Sequence, residues 1–484
     1  MTSGPYDIIV AGAGHNGLLV AAYLARAGLN VCVVEKQDMV GGGAITRELT
    51  MPGFKHDPAS IMLGLIQANP VIANDELGLI SKYGLKYHCS QDQVVAFLFP
   101  DGRALVFHRD MAKTCESIRQ FSKKDAETYP KYCAHVFQLL QVANVDMFSP
   151  PPPLGRFISL LEGTELGREY LRIMLSSLMD IVHEWFESDR IQAAFARFAA
   201  ECGVDAWQPG TGLGFLWIPY YQMEGCHYPE GGSGALTEKL ASFIKDNGGE
   251  IRLSSPVKSI KVVDGEAKGV ILADGEEILA KTAVVSSLNP KQLFVKMMSP
   301  DVLPAGFPDK VNNLRADPYS GIMFSIALND APKYKSSADC NKTAWVNITP
   351  ATKDLMRMCF EMRCGIPCVS TPLIITPTLL DNTRAPDGKH VLYVFHVNPY
   401  RLSNGGPARW DEIKEKVADD VLATIRTQTE NMGSENILGM HIISPLDMER
   451  ANPAMNVLKI LSTSNVRLDA SGFMHAGACL SIPA

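Results

Sequence analysis

Asp7 to Lys36 reads DIIVAGAGHNGLLVAAYLARAGLNVCVVEK, a stretch whose parts specify a nucleotide clamp. Ile8 to Ala11 is an apolar run without alternation, the pattern of a parallel strand buried on both faces. Gly12, Gly14 and Gly17 follow in G-x-G-x-x-G spacing. The first glycine allows a tight turn, the second lets backbone approach a diphosphate, and the third lets the next helix pack against the strand. Leu18, Ala21, Ala22, Leu24 and Ala25 recur at helical spacing, and Gly28 stands where a helix ends. A second apolar strand, Val31 to Val34, leads into Glu35 and Lys36. An acid at that point accepts ribose hydroxyls and repels a 2′-phosphate. Ala13 and Asn16 complete the turn. The reading is a Rossmann-like α/β unit rather than an ordinary glycine-rich turn, because strand, glycines, helix, strand and acid occur in register.

The next residues select the dinucleotide. GGGAITRE, Gly41 to Glu48, precedes MPGFKHDPAS, and a second block runs from Tyr228 to Ser287, beginning YPEGGSGALTEKL. That block predicts a glycine-led helix, a strand reaching Val257, a hairpin at Asp264-Gly265, another strand, a turn at Asp274-Gly275 and a last apolar strand. Together with GAGHNGL these segments resemble FAD enzymes of the phytoene desaturase and amine oxidase group, and within it the phytoene-desaturase-related oxidoreductases. These include the pyridine nucleotide-disulfide oxidoreductase domain-containing proteins and the oxygen-type carotenoid ketolases. The resemblance implies an FAD-binding domain of parallel sheet, helices and a three-stranded β layer, interleaved with an α+β substrate domain. It also implies that Gly42, Gly43 and Ala44 wrap the dinucleotide and that the Val257 backbone touches adenine. In many relatives an arginine follows the glycine pair; Gly43 stands there instead.

The expected segments are 1–85, 225–310 and 431–484 for FAD, with 86–224 and 311–430 for substrate. In 86–224, Pro150 to Pro153 form a stiff connector, and the helices after Arg168 read for most of their side chains as core covering the sheet, while the resemblance implies that such inserted helices cap an apolar tunnel. WQPGTGLGFLWIPYYQMEG is expected to be a loop-rich stretch that places Trp217 and Tyr220 in the pocket roof, or staples the loop. GIMFSIALND, PLIITPTLL and HVLYVFHV read as strands of the substrate domain. His390 and His396 receive no catalytic role. A flavin needs a closely placed substrate carbon more than an acid or base, and no Ser-His-Asp or metal cluster is evident.

The resemblance implies an oxidoreductase that dehydrogenates a hydrophobic small molecule such as a polyene, lipid or secondary metabolite, with electrons passing to dioxygen or a quinone. Flavin-dependent isomerisation or ketolation is an alternative. So is lipid binding without catalysis, as in the GDP-dissociation inhibitors that share the architecture. A single clamp argues against a tightly bound NAD(P)H domain. The net charge of −7 over 484 residues argues against a nucleic-acid partner. With no bilayer-length apolar run and no leader-like N-terminus, a cytoplasmic protein is expected. Peripheral membrane contact and a homodimer are left open. The 11 cysteines are scattered; Cys364 and Cys368 lack the two-residue gap of redox pairs, so no disulfide chemistry is expected. After SPLDMER, the closing GFMHAGACLSIPA matches only half of the relatives' glycine-rich end motif, through Gly477 and Ala478. The expectation is a chain that grips adenosine but holds the isoalloxazine loosely.

Overall fold

The computed structural model describes residues 5–147, 152–201, 203–314, 319–453 and 480–482. Gly477, Ala478 and Pro150 to Pro151 lie outside them.

Two seven-stranded sheets organise the chain. In the first, Glu250–Arg252, Val31–Val34, Tyr6–Ala11 and Glu277–Ser286 pair side by side in parallel. The strand Glu277–Ser286 serves two neighbours: Ala280 to Ser286 pair with the first strand, while Glu277 to Leu279 pair antiparallel with Glu266–Leu272. Val257–Val263 completes that meander, the expected three-stranded layer, and Leu480–Ile482 adds an antiparallel partner at Val284 to Ser286. Val31 to Val34 are buried throughout, which explains their unbroken apolar run. Helices His15–Arg26 and Gly234–Asp246 cover one face.

The second sheet runs Ile437–Ile443, Tyr319–Leu328, His390–Pro399, Leu373–Ile375, Trp345–Ile348, Gln93–Leu98 and Ala104–His108. Every pairing is antiparallel except Trp345–Ile348 beside Gln93–Leu98. All ten residues of Tyr319–Leu328 are buried, because both faces are covered. Ile322, Phe324 and Ile326 meet helix Trp410–Gln428, while Tyr319 and Met323 meet the helices between Met111 and Glu201. Ile437–Ile443 falls within the segment 431–484 expected for FAD, yet it lies on this second sheet's edge, held by six residues of antiparallel register.

The stretch read as a loop around Trp217 is helical. A 3-10 turn, Gly212–Leu216, runs into helix Trp217–Glu224. Pro219 sits in the first turn, where no intrahelical N–H is required, and Gly225 closes the helix at φ +85°. Clustered glycine and proline suggested loop, but their positions at the ends are those a helix tolerates.

Candidate functional site

The glycine turn is built by close backbone approach. Gly12 adopts φ +98°, and a Cβ on Gly17 would stand 2.2 Å from the Gly12 carbonyl oxygen. Neither position accepts a larger residue without moving backbone. The Gly41 N–H donates to the Ala13 carbonyl at 2.8 Å, and a Cβ on Gly42 would approach Gly14 Cα to 3.0 Å, so the second glycine cluster lies against the first. Helix His15–Arg26 starts at Gly14 with no side-chain cap and no acid in its first turn. Its positive end therefore faces the glycine turn as an anion site suited to a diphosphate.

Glu35 is buried at the end of the second strand. One carboxylate oxygen accepts the Ala13 N–H at 2.8 Å and the other accepts the Gln37 N–H at 3.0 Å. Each oxygen keeps a further lone pair for a ribose hydroxyl. A cavity of about 730 Å³ opens beside it. Of the residues expected at the cofactor, Gly12, Gly14, Glu35, Lys36, Gly42 and Val257 line this cavity. Ala13, Asn16, Gly17, Gly43 and Ala44 stand behind it. The Gly43 carbonyl accepts the Ser60 N–H, and the Ala44 carbonyl accepts the Thr237 hydroxyl.

The cavity continues past Arg47, Pro58 and Ala59 to His441 and Ile443 on the second sheet. These residues were not singled out from sequence. Arg47 brings a guanidinium, ion-paired with Asp38, to the cavity four positions after Gly43, where relatives carry their arginine. Its place within the quoted TRE was a usable signal. His441 gave none, because only cross-strand register brings it to the cavity. It is half-buried, and burial, helped by Lys414, holds its pKa below the usual histidine value, with Asp447 opposing. The imidazole is therefore neutral near pH 7. His396, by contrast, is fully buried: its Nε2 accepts the Thr371 N–H at 3.0 Å, and Nδ1 lies 2.7 Å from the Val397 carbonyl oxygen. That is a satisfied core histidine. His390 meets the Thr378 hydroxyl, away from the cavity.

The second glycine run holds protein rather than nucleotide. The Gly231 N–H donates to Asp381, and the Ser233 N–H donates to Asp57. Asp57 also accepts the Thr46 hydroxyl at 2.6 Å and pairs with Arg384 at 2.7 Å, both side chains being almost wholly buried. This ion pair and the Tyr393 hydroxyl, which donates to the Ala59 carbonyl at 3.0 Å, fasten the substrate sheet to the cavity wall.

Trp217 and Tyr220 are buried and lie off the cavity wall. Trp217 stacks on Tyr221 at 5.8 Å, and Tyr221 meets Trp345 of the second sheet edge-on at 5.6 Å. The Tyr220 hydroxyl donates to the Gly64 carbonyl at 3.4 Å. Among the described residues no group of acids, histidines and cysteines is placed to hold a metal ion, and no helix is long and apolar enough to cross a membrane. Cys364 and Cys368 are unbridged.

Comparison with known proteins agrees with this geometry. The flavin containing amine oxidoreductase family matches residues 17–421. The pyridine nucleotide-disulfide oxidoreductase domain-containing protein 2 of Rattus norvegicus is 30% identical, the match covering 92% of this chain and 82% of the rat protein. One of the limonene dehydrogenase subunits of Castellaniella defragrans is 27% identical over 93% of this chain and 83% of its own. The solved structure of wild-type putrescine oxidase bound to putrescine superposes with a TM-score of 0.55 at 15% identity, covering 90% of this chain and 84% of that one.

Proposed function

Because the chain belongs to the flavin containing amine oxidoreductase family and is an FAD-dependent oxidoreductase, we propose that it dehydrogenates a hydrophobic small molecule of terpenoid or lipid type, its electrons passing to dioxygen or a quinone. The observation that carries this reading is the course of the cavity from the glycine turn and Glu35, past Pro58 and Ala59, to the inner face of the second sheet. Likeness to the limonene dehydrogenase protein supports an apolar substrate.

The residues fit FAD. The uncapped helix end and the Gly12–Gly14 turn suit the diphosphate, Glu35 has lone pairs for the ribose, and Val257 borders the adenine end. Bound there, FAD supplies the hydride-accepting centre. The remaining work falls to the chain. The Tyr393–Ala59 bond fixes the loop between the sheets, holding substrate and cofactor cavities in one alignment. The neutral His441 offers one donor and one acceptor without adding a charge. The covering helices keep bulk water off the inner face, and Trp217 and Tyr220 steady those helices from behind the cavity wall through their packing on Tyr221.

Anaerobic mixing of FAD-loaded protein with limonene and with farnesene tests this reading. Bleaching of the flavin absorbance, recovered by oxygen or by a soluble quinone, is expected. A flavin left oxidised by both and by longer polyenes overturns the proposal.

A further inference from the structure

The cavity wall holds one feature that neither the glycine turn nor the second sheet accounts for. Beyond the strand Glu277–Ser286, the Ser287 hydroxyl donates to the Gly12 carbonyl at 3.2 Å, and the chain then makes one wide turn, Gln292–Met297, wound as a π-helix. Such turns are rare and recur at functional sites. Here the winding sorts the residues. Leu293 and Phe294, with Met298 just after the turn, are buried against Val270 and Leu272 of the three-stranded layer, whereas Gln292 and Met297 line the cavity. Five residues apart on an α-helix, those two would diverge by about 140°. Hydrogen bonds that span five residues return them to one side.

Gln292 and Met297 emerge at the nucleoside end of the cavity. Val257 packs against the same cluster as Leu293 and Phe294, and Ser254, Pro256 and Val257 line the cavity beside them. The Ser254 N–H donates to the Gln37 carbonyl and the Ser255 N–H to the Glu35 carbonyl, each at 2.8 Å, which fixes this segment against the strand end that carries the ribose acid. Of the two glutamines on this part of the wall, Gln37 is engaged, its Nε2 donating to the Ala451 carbonyl at 3.0 Å. The Gln292 carboxamide, half-buried, has no hydrogen-bond partner among the described residues.

We propose that Gln292 reads the adenine of the dinucleotide, its amide oxygen accepting from the 6-amino group and its NH₂ donating to the adjacent ring nitrogen. A carboxamide holds an acceptor and a donor side by side in one plane, the complement of that edge of adenine, and glutamine makes the same paired contact with adenine in protein–DNA complexes. Met297 brings a polarizable thioether to the same side, suited to the base as an aromatic ring. Glu35 and the glycine turn serve the ribose and the diphosphate, which all nucleotides share, so Gln292 is what gives the site a preference among bases. This adds a specificity residue to the FAD site and holds whichever substrate is oxidised.

Isothermal titration of the full chain, stripped of flavin, with ADP and with purine riboside diphosphate tests the assignment. The second ligand lacks only the 6-amino group. ADP is expected to bind at least about tenfold tighter, the scale of one or two buried hydrogen bonds. Gln292→Met keeps the length of the side chain and removes its amide, and it should weaken ADP more than the purine ligand, shrinking the preference at least about threefold. Gln292→Ser, which leaves the surface polar, should shrink it likewise and covers the case in which the methionine variant fails to fold. Glu35→Gln should weaken both ligands alike and leave the preference intact, because the ribose is common to them. Equal affinity for the two ligands, no binding of ADP, or a preference untouched by substitution of Gln292 overturns the proposal. The calorimetric signal involves no turnover, so a flavin that no substrate bleaches counts against the proposed oxidation and not against Gln292.

Discussion

The two ends of the functional region are made of different material. At the nucleotide end the geometry is carried by backbone: Gly12, Gly14, Gly17 and Gly42 approach one another closely, and helix His15–Arg26 presents its amide end. At the other end, where the cavity reaches the second sheet, the wall is carried by side chains brought there by strand pairing, His441 and Ile443 among them. A backbone site tolerates almost no change in shape. A side-chain site keeps its fold while its chemistry changes.

Severing the join between the two ends should cost most. Arg384→Met leaves Asp57 buried and unpaired, and unfolding stability in urea should fall by about 3–5 kcal/mol. A loss under about 1 kcal/mol would mean the ends are joined by packing alone. Next comes the backbone site. In Gly17→Ala the new methyl meets the Gly12 carbonyl, and the turn must open at a cost of about 1–3 kcal/mol. Purified protein should carry little flavin while its far-ultraviolet dichroism stays near that of the parent. Full flavin content would show that the turn is softer than its glycines suggest. Glu35→Gln is milder, because one charge-assisted acceptor becomes a neutral one. FAD affinity should fall a few-fold to a hundredfold, from about 1.5–3 kcal/mol, and unchanged affinity would remove Glu35 from the ribose.

These three lie where the sequence was readable, and the reason is physical. Glycine spacing, a terminal acid and apolar runs are local signals, each fixed by a neighbour a few residues away. The substrate end has no such grammar. Tyr393, Ser325 and His441 are distant in the chain and meet only through strand register, and nothing local in the sequence of Ile437–Ile443 shows that this strand joins Tyr319–Leu328 rather than the nucleotide sheet. Helix Trp217–Glu224 was hidden for the opposite reason: its local signals, glycines and a proline, are ambiguous between a loop and the ends of a short helix.

The side-chain region should also answer to acid. Burial holds His396 down to about 3, against 6.5 for the free imidazole, and His56 down to about 4. Both stay neutral in the fold and take up protons more readily when it opens. Their stabilising effect is therefore complete above pH 6.5 and is lost as pH falls from there toward 3 or 4, by up to about 1.4 kcal/mol per histidine per pH unit. Thermal melts between pH 7 and 5 should show the fall, and His396→Asn should flatten it. An unchanged slope in that variant would place the acid sensitivity elsewhere. The smallest effect is expected behind the cavity wall. Trp217→Ala and Tyr220→Ala remove rings that pack on Tyr221 away from the cavity wall, so KM for an apolar substrate should stay within about twofold with the flavin spectrum intact. A larger rise would place the two rings against the substrate.

The pairing of Tyr6–Ala11 with Glu277–Ser286 sets a timetable for synthesis. Val31–Val34 leaves the ribosome soon after the first strand, but the strand that covers its other edge emerges about 270 residues later, a wait of roughly a quarter of a minute to a minute at ordinary elongation rates. For that interval the apolar edge of Ile8, Ile9 and Val10 stays open on the nascent chain. Slower translation would lengthen that exposure rather than relieve it.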